Sequence, residues 1–491
     1  MTRDDYLPTI IFNFRHPSSP SNKAVCDPIH KSSDFQPLRI LEVDIGQPLP
    51  DLPAVDRKTG HRYQRALSQV RLHTQLLGIV ELQVNEEILT AAECARQIWS
   101  ALKPVIIQHL RQDGLPVVEE LEATGLPLPI NGSPKCVQLR QKVLADAPFV
   151  SVIVATRDRP TSLAVCLESL LSLDYPSYEI IVVDSAPSTN VTFDLIRQTY
   201  SGTSQIRYVR EEYPGLGLAH NRGLVEVKAP IVAFTDDDVV ADRHWLAELV
   251  KDFRLADNVG CVTGMILPIE LETPAQAWIE QFGGFSKGFT RRIFDLTDNR
   301  PKGLLYPYTT GMFGSGANMA FTTSALRDIG GFDPALGAGT AALGGDDLVA
   351  FFQIVTHGYQ LIYEPSAVIH HRHHRDYAAL RKQVHGYGVG LTAYLTKSLL
   401  DRPWLIFQIA PRMLGGLAYM FSPKSLKNAK KQADYPKELT LIERKGMLYG
   451  PVAYLRSLWQ SRKRGKYLAG QKDITTASTP PSLSPDEVPQ P

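Results

Sequence analysis

Cysteine is scarce in this chain. There are five in 491 residues, at Cys26, Cys94, Cys136, Cys166 and Cys261, an odd and scattered set with no CxxC pair. That pattern fits a reducing compartment and argues against a disulfide framework or a structural zinc site. Net charge is almost absent as well, at +1, so nothing global points to a nucleic-acid partner. The first thirty residues have no basic segment followed by an apolar run, and the catalytic part is expected to be cytoplasmic. Two nucleotide-binding signatures are also missing. The first strand-to-helix turn reads ATRDRP rather than GxGxxG, and no GxxxxGK[ST] occurs, which disfavours a dinucleotide dehydrogenase and a P-loop enzyme.

What is present is enough for a sizeable core: 44% of residues are hydrophobic, and the length suits two or three domains. Residues 1–36 are polar and proline-containing and read as a disordered arm. Residues 37–125 read as a small α+β module, with strands in RILEVDI and LGIVELQV and helical spacing from Ala91 to Arg111. Residues 126–148, rich in Pro and Gly at their start, read as a linker. From 149 the pattern becomes regular. Apolar strands FVSVIVAT, YEIIVVDS, IRYVREE and PIVAF alternate with helical segments, and VGCVTGMIL follows. Such alternation implies right-handed crossovers and a mostly parallel sheet.

The fourth of these strands runs straight into Asp236, Asp237 and Asp238. Open α/β sheets place their ligands at the carboxyl ends of strands. Three adjacent carboxylates repel one another unless a cation intervenes. In an extended segment residues i and i+2 point the same way, so Asp236 and Asp238 can share one hard cation.

Four blocks, in order across 149–376, then resemble the family 2 glycosyltransferases with a GT-A fold: VSVIVATRDRP with IIVVDS, GLGLAHNRGL, the DDD, and GGFDPALGAGTAALGGDDLVAFFQIVTHGYQLIYEPSAVIHH. The resemblance implies an α/β GT-A fold, Rossmann-like, with a mostly parallel sheet and helices on both faces. Residues 149–267 would form the nucleotide-sugar half and 268–376 the acceptor half. It implies that Thr156, Arg157, Asp158 and Asp184 grip the nucleoside, with Asn221, Arg222, Asp236 and Asp237 also on the nucleotide sugar. His220 stands where the family has an arginine, a departure. The resemblance further implies that Asp238, with Asp236 and His370, binds Mg²⁺ or Mn²⁺. In the DD pair, Asp347 would be the catalytic base and Asp346 would contact the acceptor or orient the base. Together these predict an inverting transfer of one sugar from a nucleotide sugar, UDP-linked by expectation, to a hydroxyl of a glycan or lipid-linked acceptor. A sugar-phosphate nucleotidyltransferase and a non-catalytic scaffold are the alternatives, although TRDRP lacks the glycine-rich loop of the former. The QxxRW signature and paired spans of processive synthases are missing, which favours single-sugar addition over polymerisation.

Residues 377–472 read as a helical extension. Within it, 404–421 is apolar but interrupted by Gln408, Pro411 and Arg412, marginal for a membrane span. Either a buried helix pair or an interfacial hairpin fits it. Lys424, Lys427, Lys430 and Lys431 follow and suit anionic headgroups, so peripheral association with the inner face of a membrane is the second expectation. Residues 473–491 read as a disordered tail.

Overall fold

The computed structural model describes residues 35–463, apart from 58–59, 127–132, 284, 304, 423–424, 426–427 and 433. Nearly all of the amino-terminal arm, the carboxyl-terminal tail, Lys424 and Lys427 lie outside the described residues.

Strands β1 (Arg39–Asp44), β2 (Leu52–Pro53), β3 (Arg65–Leu72), β4 (Gln75–Gln83) and β5 (Ile88–Leu89) are followed by helix α1 (Ala91–Gln112). β1, β3 and β4 form one sheet and β2 pairs with β5. Helix α1 begins where the Thr90 side chain accepts a hydrogen bond from the Glu93 amide, and its apolar stripe Cys94, Ile98, Leu102, Ile106 and Leu110 is buried. Strand β3 escaped the sequence reading because Arg65, Gln69 and Arg71 interrupt its apolar pattern. The stretch expected as a linker contains a helix, α2 (Lys135–Ala145).

The main sheet is built from β6 (Val150–Thr156), β7 (Tyr178–Ser185), β8 (Ile206–Glu211), β9 (Ile231–Asp236), β10 (Val239–Ala241), β11 (Val259–Pro268), β12 (Arg292–Phe294), β13 (Asn318–Thr322) and β14 (Gln360–His371). Its order is β8-β7-β6-β9-β13-β11-β14-β10, with β12 pairing β14. β6, β7, β8 and β9 are mutually parallel neighbours, and β13 then runs antiparallel to β9. Between the strands lie α3 (Pro160–Leu171), α4 (Val191–Thr199), α5 (Leu216–Glu226), α6 (Trp245–Asp252), α7 (Pro274–Phe282), α8 (Thr323–Asp328) and α9 (Asp346–Thr356). The runs VSVIVAT and YEIIVVDS are unbroken because both faces are covered, one by a cluster around Leu163, Trp245 and Val250, the other by one around Leu224, Phe321 and Phe351. The α/β fold class expected from the sequence is therefore observed.

The amino-terminal module docks on the far edge of this sheet. Leu38 bridges Leu271, Arg71 pairs with Asp242 at 2.6 Å, and Gln69 meets His370 at 2.8 Å. Three helices end the described chain: α10 (Tyr377–Asp401), α11 (Ile406–Phe421) and α12 (Lys437–Lys463). Helices α10 and α12 approach to backbone contact. A Cβ on Gly388 would strike the Glu443 carbonyl, and one on Gly446 the His385 carbonyl. At Gly345 it would lie 2.6 Å from the Gly390 carbonyl, so α9 is seated on α10 the same way. No described helix is long and apolar enough to cross a membrane.

A buried ionic cluster braces β14 against α6. Glu364 accepts from Arg291, and the Lys251 ammonium lies 3.3 Å from it. Burial alone would raise the Glu364 carboxyl, but Lys251 and Arg291 overcome this and hold it down at about 2. Its stabilising contribution is therefore complete above its ordinary value of 4.5 and fades as pH falls towards about 2. Glu364→Gln removes one charged partner from Arg291 and Lys251, which keep Asp252 and Glu248; it is expected to cost about 1–3 kcal/mol and to flatten that acid limb in denaturant titrations across pH. Gly388→Val should lower stability by about 1–3 kcal/mol. Gly202→Ala, where an added Cβ meets nothing within 4 Å, should be nearly silent in the same assay.

Candidate active site

The register of the parallel strands aligns their carboxyl ends. Thr156 of β6 faces Asp184 of β7, and Ala155 faces Asp236 of β9. Into this row the chain packs the three acidic residues. Thr156 Oγ1 donates to Asp237 Oδ2 at 2.6 Å, and Arg159 reaches Asp237 at 3.0 Å and Asp238 at 3.2 Å. Burial raises the Asp237 carboxyl, with Arg159 and Thr156 working against it. Arg159 was passed over in the sequence reading, although it lies in the quoted TRDRP. Only the fold reveals that it is the counter-ion of the DDD.

Asp236, Asp238 and His371 converge, each offering one ligand atom within 4.8 Å of the others. His371 Nε2 lies 3.2 Å from Asp238 Oδ1, yet that oxygen is buried without an aligned hydrogen-bond donor among the described residues. Two carboxylates and an imidazole around an unsatisfied buried oxygen fit a divalent cation. Burial and Asp238 push the Asp236 carboxyl up to about 7. At Asp238 burial is outweighed by His371 and Arg159, which hold it below the ordinary range.

The expected ligand His370 is corrected by one residue. Adjacent residues of β14 point to opposite faces, so His370 turns to Gln69 of the amino-terminal module while His371 turns to Asp238. Burial and Arg71 depress His370 to about 4. A second correction concerns the GLGLAHNRGL block. The Asn221 amide is used at both ends by the Phe332 backbone, donating at 2.7 Å and accepting at 2.9 Å, and Arg222 pairs with Glu226 one helical turn on. Neither faces the acidic cluster. His220 is buried against Phe234 and Phe332, and burial lowers it to about 3. Asp158 is at φ +54°, its carboxylate accepting from the Ser188 amide and hydroxyl. It thus ties the first two strand-end loops together. Arg157 is half exposed beside it. Asp184 is fully buried and accepts from the Tyr208 hydroxyl at 2.9 Å.

The second acidic pair opens α9. Gly345, at φ +88°, turns the chain into the helix, and Asp346 and Asp347 occupy its first turn. Asp347 accepts from the Gly316 amide at 2.9 Å and the Leu348 amide at 2.8 Å. Gly316 lies just before β13, the neighbour of β9, and Thr235 bonds the Ala317 carbonyl at 2.9 Å, so this contact brings α9 to the DDD. A Cβ on Gly316 would press within 3.2 Å of Asp347 Cβ. Burial, then Asp347, push the Asp346 carboxyl up to about 8, and burial raises Asp347 also. Burial, with smaller contributions from Asp347, Asp236 and Asp238, raises the hydroxyl of the half-buried Tyr387 of α10, so both acidic groups lie within charge reach of it. Lys287, depressed to about 8 by burial and Lys430, is drawn back up by Asp347 and is a further residue the sequence reading did not single out.

Two outcomes are expected. His371→Gln should weaken Mn²⁺ binding about tenfold or more, measured by titration calorimetry, whereas His370→Gln should leave it unchanged. Because the folded state holds Asp346 protonated up to about 8 while the unfolded chain ionises it above about 4, stability is lost as pH rises between those values. Asp346→Asn should remove that loss and raise the melting temperature at pH 8.

Residues 151–330 match the family model described as Glycosyl transferase family 2. Among curated proteins, the chain is similar to a pre-mycofactocin glycosyltransferase of Mycobacterium tuberculosis, 26% identical over 241 residues, covering 48% of this chain and 46% of the relative. It is also similar to a glucosyl-dolichyl phosphate glucuronosyltransferase of Haloferax volcanii, 22% identical over 191 residues, covering 38% of this chain and 56% of the relative. The matched part thus spans about half the length of these curated relatives. Among solved structures, a mannosyltransferase of Pyrobaculum calidifontis in complex with GDP-Man and Mn²⁺ aligns with TM-score 0.39 and 18% identity, covering 67% of this chain and 87% of that one. Over residues 151–330, the chain carries a glycosyl transferase family 2 domain.

Proposed function

We propose that this protein transfers a single sugar from a nucleotide sugar to an acceptor hydroxyl with inversion at the anomeric carbon. The observation that carries the reading is the approach of two acidic groups, Asp236–Asp238 with His371 and Asp346–Asp347, linked through the Asp347–Gly316 and Thr235–Ala317 hydrogen bonds. In this reading Asp236, Asp238 and His371 hold a divalent cation, Mg²⁺ or Mn²⁺. When bound, that cation offsets the negative charge that builds on the departing diphosphate. Thr156 and Arg159 keep the acidic loop in place, and Arg157, Asp158 and Asp184 border the nucleoside end. Asp347 takes the proton of the acceptor hydroxyl as its oxygen bonds to the anomeric carbon. The bond from that carbon to the diphosphate oxygen breaks at the same time, and the nucleoside diphosphate leaves. Burial strengthens Asp347 as a base, and the Gly316 and Leu348 amides fix its direction. Asp346, protonated more readily, is suited to donate a hydrogen bond to the acceptor or to orient the base.

The donor is taken as uridine-linked and the acceptor as a glycan or a lipid-linked sugar. The Haloferax relative's name, with its dolichyl phosphate, supports testing the lipid-linked class. Part of the charge argument for a membrane is revised. Lys430 donates to the Gly283 carbonyl and Lys431 sits over the rings of Phe282 and Tyr435, so neither is a free headgroup ligand. The apolar part is strengthened: Leu441, Leu448, Val452, Leu455 and Trp459 form an exposed stripe along α12, near-heptad in spacing, and Trp404 and Phe407 are exposed as well.

A nucleotide-sugar panel with and without Mn²⁺, read by thermal shift and by release of nucleoside diphosphate, tests the donor. One donor should stabilise the protein only with metal. A product of pyrophosphate would replace this reading with nucleotidyl transfer. Asp347→Asn should stay folded and lose transfer by about a hundredfold or more. Full turnover by that variant would remove Asp347 as the base. Leu448→Glu with Trp459→Glu should abolish co-sedimentation with anionic vesicles, if the wild-type chain binds them as expected.

A further inference from the structure

Far along the chain from the carboxylate centre, four side chains from three segments meet at one point. They are His73 in the turn between β3 and β4, His109 in the last turn of α1, Asp113 at its end, and Cys136 in the first turn of α2. One ligand atom from each lies within 4.8 Å of all the others. His73 Nδ1 is 2.9 Å from Asp113 Oδ2 and 3.1 Å from His109 Nε2. His109 Nε2 is 3.2 Å from the same Asp113 oxygen, and Cys136 Sγ is 3.1 Å from it. The His73 and Asp113 side chains are 3% and 4% exposed, so water does not relieve the crowding.

Hydrogen bonds alone do not satisfy this group. As a carboxylate, Asp113 only accepts hydrogen bonds. If both imidazole nitrogens donate to it, two N–H groups face each other across 3.1 Å. If one is an acceptor instead, its lone pair faces the carboxylate. Either assignment leaves one like-against-like contact in a buried site, which is costly. A cation at the centre turns all four atoms into ligands and removes the conflict. Bonds of the length zinc makes to N, O and S place tetrahedral donors about 3.3–3.8 Å apart, a few tenths of an ångström beyond the spacing seen.

We propose that His73, His109, Asp113 and Cys136 form a structural zinc site. The donor set of two imidazoles, one carboxylate and one thiolate is borderline in softness, which suits Zn²⁺ over Mg²⁺, Ca²⁺ or Mn²⁺. Four protein ligands leave no open position, so the site is structural rather than hydrolytic. His109 and Asp113 are spaced i, i+4, on one face of α1. The remaining ligands come from the β3–β4 turn, where His73 and Thr74 take positive φ of +53° and +68°, and from α2. Helix α2 packs on α6, with Arg140 held by Glu248 at 2.8 Å, and the chain then enters β6. Zinc would therefore fasten the amino-terminal module to the segment that leads into the main sheet. It overturns the expectation that scattered cysteines exclude such a site, because only one cysteine is needed.

The test uses the full chain, produced with added zinc and dialysed into metal-free buffer without chelator, with metals measured by plasma mass spectrometry. Wild type and Asp238→Asn should each retain about one zinc per chain. Cys136→Ser and His109→Gln should retain almost none. A strong chelator should lower the melting temperature of wild type but not of those two variants. Zinc-free wild type, or Cys136→Ser that keeps wild-type zinc, would overturn the site. Should the variants fail to fold, cobalt replacement of wild type decides. Thiolate-to-cobalt charge transfer with the intense visible bands of four-coordinate cobalt supports the site, and their absence overturns it.

Discussion

The arrangement depends on one electrostatic constraint: five carboxylates must be held close together in a poorly solvated cleft without expelling one another. Each element around them supplies part of the compensation. Arg159 spans Asp237 and Asp238, His371 faces Asp238, and the amino-terminal end of α9 offers its backbone N–H groups to Asp346 and Asp347. Compensation is incomplete, as the raised Asp236 and Asp346 carboxyls show. A site left short of positive charge is prepared for a cation, and the two acidic groups differ in how they are prepared. The DDD has less counter-charge than its three carboxylates need, which suits metal; the α9 pair lacks solvent, which suits proton transfer.

Much of this was legible in the sequence, for a definite reason. Strands buried on both faces leave unbroken apolar runs, so VSVIVAT, YEIIVVDS and PIVAF announced the sheet, and the acids at their ends announced the ligand side. What failed was what depends on the direction of a side chain. His370 and His371 are neighbours, and only strand pairing decides which of them faces Asp238. Asn221 resembles a ligand residue in its motif, yet in the structure its amide has both ends engaged by the Phe332 backbone. Arg159 was invisible because its partners lie nearly eighty residues away.

The same distinction explains the amino-terminal module, to which sequence reading gave no chemistry. Its polar contacts with the main sheet include those of Gln69, Arg71 and Gln75, residues on strands that a hydrophobic pattern does not flag. His73 follows directly, where β3 turns into β4. A residue that ends one strand and starts a turn carries little periodic signal, yet it sits where three segments meet.

The close seating of α9 on α10, and of α10 on α12, bears on how portable this active site is. The family match ends at residue 330, whereas Asp346, Asp347 and His371 lie beyond it and Tyr387 beyond them. The glycine-to-backbone contacts at Gly345 and Gly388 leave no slack for a substitute surface. A graft of the matched segment alone into another scaffold would carry the DDD and most of the sheet but leave behind β14 with His371, and with it the proposed proton acceptor. In this molecule the segment that the family match delimits and the segment that the proposed chemistry needs have different ends, and the carboxyl-terminal helices pack on the second.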